Sequence, residues 1–179
     1  MVALGGWADS GTNGIVARIA FVSDTHINLH TNGSEMAYNR RFDQAIAEIN
    51  AAKVDLVLIG GDETDGGTRE QMALFKQKVK QLKAPVLFVP GNHDVGVVGI
   101  GNIKTSITPE KVRLFGKELG PNWFAREKAG VRVIGINSCL FGSGFKEEED
   151  QWKFLEKELA KPHPKPTFLL EHYPLFILT

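Results

Sequence analysis

Cysteine is almost missing from this chain: Cys139 stands alone among 179 residues. A single thiol excludes an internal disulfide framework and any cysteine-cluster metal site. It fits a reducing compartment, so a cytoplasmic location is expected. No apolar run approaches the ~18 residues that a bilayer span requires, so no membrane partner is expected. An excess of either charge is missing as well. Lysine plus arginine and aspartate plus glutamate number 21 each, which leaves no global basic field and makes nucleic acid a poor main partner. Residues 1–16 lack a basic start followed by an apolar stretch, so they do not read as a secretory signal, and a flexible leader is expected there. Asn32-Gly33-Ser34 matches a glycosylation acceptor, a pattern short enough to arise by chance.

What remains is ordinary globular usage, 42% apolar and 23% charged, in a length that supports one well-buried domain over residues 17–179. Residues 17–23 form a strand-prone run that breaks at Asp24-Thr25-His26. Over residues 38–52 the apolar positions Phe42, Ala45, Ile46 and Ile49 recur at helical spacing. Residues 56–59 read as a buried strand ending at Gly60-Gly61-Asp62. A second helix is expected over 68–82, with Met72, Phe75, Val79 and Leu82 inward, and a third strand over 86–89 ends at Pro90-Gly91-Asn92-His93-Asp94. The order β-α-β-α-β predicts a parallel sheet with right-handed crossovers. Residues 95–105 are glycine-rich, but no strand leads into them as a dinucleotide fingerprint requires.

Thr108-Pro109 starts a helix with Val112, Phe115 and Leu119 inward. Residues 123–126 and 131–136 predict a hairpin. Glu147, Glu148, Glu149 and Asp150 open a helix to about residue 160, where negative charge suits the helix dipole. Trp152, Leu155 and Leu159 are expected to face inward. A last strand over 167–170 breaks at Glu171-His172-Tyr173-Pro174.

Four strand ends therefore carry polar groups: Asp24 and His26; Asp62 and Asp65; Asn92, His93 and Asp94; and His172. Any one of them alone is an ordinary turn former or a hydrogen-bonded histidine. Together they fall on the sheet edge where open α/β sheets place their sites. Carboxylates gathered there need compensating cations. An oxygen and nitrogen donor set without thiol suits manganese, iron or zinc. In an extended segment residues i and i+2 point the same way, so Asp24 and His26 are expected to reach one ion.

These motifs, in this order from Asp24 to His172, resemble those of the calcineurin-like metallophosphoesterase superfamily. Ile136-Asn137-Ser138, residues 147–159 and His172-Tyr173-Pro174-Leu175-Phe176 are similar to its small cytosolic and purple-acid-phosphatase-like branch. The resemblance implies an α/β fold, a β-sandwich flanked by helices around the βαβαβ core, with the second sheet incomplete at the C-terminus. It implies two divalent or trivalent metal ions: Asp24 and His26 bind the first, Asp62 bridges, and Asn92 and His172 bind the second. His93 becomes the group that binds the phosphate or protonates the leaving oxygen, with Asp94 orienting its imidazole and Asp65 in a supporting role.

The implied reaction is hydrolysis of phosphate esters by a hydroxide that the metals activate, on a phosphorylated small molecule or a phosphoprotein. The superfamily's Gly-His-x-His loop is absent from the chain. The resemblance therefore implies a domain missing its C-terminal part, with three protein ligands left to each ion. An impaired or inactive fragment, or a binding module on the same fold, is the alternative. A hydrolase using Cys139 as nucleophile is a third, although Cys139 follows a strand pattern and suits buried packing better.

Overall fold

The structure is a computed structural model that describes residues 2–8, 15–30, 36–99 and 101–174. In chain order the elements are β1 (Val2–Ala8), β2 (Ile15–Val22), α1 (Met36–Ala52), β3 (Leu56–Ile59), α2 (Arg69–Val79), β4 (Val86–Phe88), α3 (Asn92–Val95), α4 (Pro109–Glu118), β5 (Phe124–Lys128), β6 (Val131–Gly135), α5 (Lys146–Leu159) and β7 (Thr167–Leu170). A 3-10 turn at Ser138–Leu140 lies between β6 and α5. The first sheet runs β1-β2-β3-β4 and the second β5-β6-β7. β2, β3 and β4 are parallel, as the β-α-β-α-β order requires.

The central strand shows why the layers stack as they do. All four residues of β3 are buried, because alternate side chains feed two different cores. Val57 and Ile59 join Phe42, Ile46, Ile49 and Phe75 of α1 and α2. Leu56 and Leu58 meet Phe124, Val131 and Val133 of the second sheet. On the far side of that sheet Ile134 packs on Leu155 of α5. The result is helix, sheet, sheet, helix. A strand buried on both faces reads as an unbroken apolar run, and burying each such side chain stabilises by about 1.5–3 kcal/mol. Caps set the helix starts. Thr68 and Gln71 form a capping box, and Thr108 accepts from the Lys111 amide ahead of Pro109.

Two expectations are corrected. The leader expected over residues 1–16 contains a strand, since Val2–Ala8 pair antiparallel with β2; residues 1 and 9–14 lie outside the described residues. Trp152 and Leu159 do not face inward, being 44% and 63% exposed. Polar contacts choose the face of α5 instead. Gln151 accepts from the Asn137 amide (2.8 Å) and donates to its carbonyl (3.1 Å). Glu158 pairs with the buried Arg132 at 2.7 Å. Gln151, Leu155 and Glu158 are therefore the inward residues. The Asn32-Gly33-Ser34 triplet and Leu175-Phe176 lie outside the described residues.

Candidate metal centre

The loops after β2 and β3 are laced together by backbone before any side chain is considered. The amides of Asp24, His26 and Ile27 donate to the carbonyls of Gly61, Asp62 and Glu63 at 3.1, 2.9 and 3.0 Å. The Thr25 hydroxyl adds a bond to the Glu63 carbonyl at 2.8 Å. Holding this register takes unusual backbone. Asp24, His26 and Asp62 have φ of 58°, 43° and 54°, a left-handed region that costs a non-glycine residue about 1–3 kcal/mol. Asp24 and His26 are brought together by this bend; the extended alternation expected of them does not occur. Two glycines allow the close approach. A Cβ at Gly61 would lie 2.7 Å from the His172 ring, and one at Gly91 would overlap the backbone and carboxylate of Asp62.

Asp62 lies at the centre. One carboxylate oxygen, Oδ2, faces His26 Nε2 at 3.7 Å, and the other, Oδ1, faces His172 Nε2 at 3.5 Å. Asp24 Oδ1 is 3.8 Å from the same His26 nitrogen, and Asn92 Oδ1 is 3.0 Å from the same His172 nitrogen. Ligands ~2.1 Å from a shared ion sit about 3.0–3.4 Å apart, so these separations fit a metal to within a few tenths of an ångström. Burial pushes the Asp62 carboxyl above its usual range, opposed by the His93 amide and by His172. Donor atoms of Asp24, Asp62 and His172 lie within 4.8 Å of one another, as do those of His26, Asp65 and His93.

The tautomer of His172 sharpens the fit. Its Nδ1 lies 2.8 Å from the Gly60 carbonyl, which can only accept, so Nδ1 carries the hydrogen. In the neutral ring Nε2 then turns its lone pair toward the oxygens of Asn92 and Asp62. Three acceptors facing one another are unfavourable unless a cation or a proton lies among them. A buried carboxyl, Glu63, lies beside these groups and is kept toward its neutral form by its surroundings. Neither of its oxygens has a hydrogen-bond partner among the described residues. Burial, then the neighbouring Asp94 charge, pushes its pKa well above the usual carboxylate range.

His93 and Asp94 part company with expectation. Asp94 does not orient the His93 ring. It is buried and accepts from the amides of Glu63 (3.1 Å), Thr64 (2.8 Å) and Gly91 (2.9 Å) and from the Thr64 hydroxyl (2.7 Å). It is a clamp between the second and third loops. The His93 ring is held by Asp65, whose carbonyl lies 2.8 Å from Nδ1. The Asp65 carboxylate is 3.7 Å from the Nδ1 atoms of both His93 and His26. Sequence reasoning missed the carbonyls of Gly60 and Asp65 because every residue has one and no side-chain pattern marks them. Cys139 is buried, and burial pushes its thiol pKa up, away from a nucleophilic thiolate.

A comparison with protein families matches residues 17–177 to the calcineurin-like phosphoesterase model. The chain belongs to that family. A relative named "Probable glycerophosphodiester phosphodiesterase GpdQ", from Arcobacter nitrofigilis, is 36% identical over 163 residues, covering 86% of this chain and 55% of its own length. The 3',5'-cyclic adenosine monophosphate phosphodiesterase CpdA of Escherichia coli K12 is 27% identical, covering 88% of this chain and 56% of its own. The chain thus spans about half the length of these curated relatives. Among solved structures, purple acid phosphatase PPD1 from yellow lupin has a TM-score of 0.51 at 17% identity, over 81% of this chain and 28% of that one. That likeness concerns the fold. No helix among the described residues is long and apolar enough to cross a membrane.

Proposed function

We propose that this chain carries the metal centre of a phosphoester hydrolase. One observation carries the reading: the two oxygens of Asp62 face histidines from different strand ends, His26 at 3.7 Å and His172 at 3.5 Å. A carboxylate so placed can serve two cations. Asp24, His26 and Asp62 would hold one, and Asp62, Asn92 and His172 the other, with manganese, iron or zinc suited to such donors. When bound, the pair supplies a nucleophile at neutral pH and compensates charge on the phosphoryl oxygens. Asp65 fixes the His93 ring through Nδ1, which leaves Nε2 to bind the phosphate or to protonate the leaving oxygen. Asp94 acts on His93 only by holding the loop that carries it. The activities for which these relatives are named support phosphate esters of small molecules as substrates, and a phosphoprotein is the second substrate class. A cytoplasmic location goes with this reading.

Calorimetric titration with manganese, combined with hydrolysis of bis(4-nitrophenyl) phosphate, tests it. The expected outcome is metal binding together with manganese-dependent turnover. Asp62→Asn should lower turnover by more than about a hundredfold, since even outer partners of a metal site are worth about 10–100-fold. Absence of metal binding at millimolar concentration would defeat the metal-centre reading. Binding without turnover would favour a non-catalytic module on the same fold.

A further inference from the structure

Beside the metal centre lies a cleft of about 210 Å³ that the proposed chemistry does not use. Its floor is apolar, made by Val22, Phe42 and Ala45, and its rim carries Asp24, Tyr38 and Arg41. Asp24 belongs to both places, so the cleft opens directly onto the candidate ligands. Tyr38 stands between them, its ring centroid 5.6 Å from that of His26. The Arg41 guanidinium lies 5.7 Å from the centroid of the same Tyr38 ring. This contact holds the guanidinium without neutralising it. Among the described residues Arg41 is exposed and has no carboxylate partner, whereas Asp43, two positions along α1, is taken up by Lys78. Arg41 is also the one basic side chain lining the cleft.

We infer that this cleft is a specificity subsite for a short alcohol arm that ends in an anion. The inference rests on the phosphoester hydrolase reading, with the substrate phosphate at the metal centre and its arm running past Asp24. A cleft of about 210 Å³ gives room for a chain of a few carbons. Methylenes suit the floor of Val22, Phe42 and Ala45. A carboxylate or a second phosphate suits Arg41, whose planar fork binds either in bidentate fashion. Arg41 is thus a specificity-determining residue, and Tyr38 positions it.

Calorimetric titration of the manganese-loaded chain reads this as binding, with any hydrolysis of the probes followed separately. The probes are 3-phosphoglycerate and glycerol 3-phosphate, alike in phosphate ester and three-carbon length but different in the terminal carboxylate. Propane-1,3-diyl bisphosphate presents a phosphate in that place. The wild type should bind one or both doubly anionic probes at least about tenfold more tightly than glycerol 3-phosphate, as a charge-assisted hydrogen bond allows. Which of the two gains identifies the anion. Arg41→Ala should erase the preference and leave glycerol 3-phosphate binding and the melting temperature unchanged, while Arg41→Lys should keep part of it. Equal binding of all three probes by the wild type, a preference that survives in Arg41→Ala, or no binding of any probe would overturn the inference. An Arg41-dependent preference without hydrolysis of any ester would sustain the subsite and sink the hydrolase reading.

Discussion

Two regions of this molecule gather charge, and they treat it in opposite ways. Along the second sheet and α5 Glu127, Glu147, Asp150 and Glu158 each meet a basic group from the chain itself. Arg132 and Lys161 hold Glu158 at 2.7 and 2.5 Å, and His163 and Lys165 hold Glu127 at 2.9 and 2.6 Å. At the ends of β2, β3 and β4 the acids outnumber their partners. Asp24, Asp62, Asp65 and Asp94 share that space with His26, His93 and His172, and none of the ion pairs found there includes a lysine or arginine. A protein that can pair its acids, and does so on one face, leaves them unpaired on another where something else supplies the positive charge. That contrast supports metal occupancy more strongly than any single donor distance.

The comparison breaks most visibly at Asp94. Its four accepted bonds mean that Asp94→Ala should cost about 3–5 kcal/mol by stranding buried donors, measured as a fall of the chemical-denaturation midpoint. Asp94→Asn should keep part of the clamp. A cost below about 1 kcal/mol for the alanine variant would show that the loops are held by their backbone bonds alone. Next in size is the response to metal. Manganese at a hundred times its dissociation constant should stabilise the chain by about 2.7 kcal/mol, and a chelator should reverse the gain. Hydrogen exchange should slow at residues 24–27, 61–65 and 91–95 and stay unchanged at 124–132. Equal protection in both regions would dissolve the distinction drawn between them.

The smallest effect concerns Glu127. Its hydrogen bonds with His163 and Lys165 lower its pKa from the usual 4.5 to about 2. A depressed folded-state value means that the contribution to stability is complete above 4.5 and fades as pH falls toward 2. Glu127→Gln should therefore differ slightly from the wild type at neutral pH, and the difference should shrink across that acidic window. A difference that grows as pH falls would reverse the assignment.

Much of this was legible in the residues. The run Leu56-Val57-Leu58-Ile59 has one reading because a strand buried on both faces leaves no polar alternation. Thr108 caps a helix where its side chain reaches the amide three residues on, as Thr108-Pro109 announces. The face of α5 was not legible, because Gln151 and Glu158 look like surface residues until Asn137 and Arg132 are seen opposite them. The gathering of Asp24, His26, Asp62, Asn92 and His172 could be foreseen from their places after strands. The division of labour between Asp65 and Asp94 could not, because either carboxylate could have reached the His93 ring and only the loop path decides between them. Nor does a sequence announce that Val2–Ala8 will find an antiparallel partner 7 to 20 positions away in β2.

The left-handed backbone at Asp24, His26 and Asp62 has a consequence for anyone evolving this chain toward heat resistance. At these three positions the residue that the backbone would prefer is not the one whose side chain points into the centre. Glycine would relieve the local strain at each of them. A library ranked only by survival after heating would therefore drift there toward variants that hold their shape and have lost their donors. Stability and competence are opposed at residues 24, 26 and 62, and a selection has to score both at once to keep the chain whole.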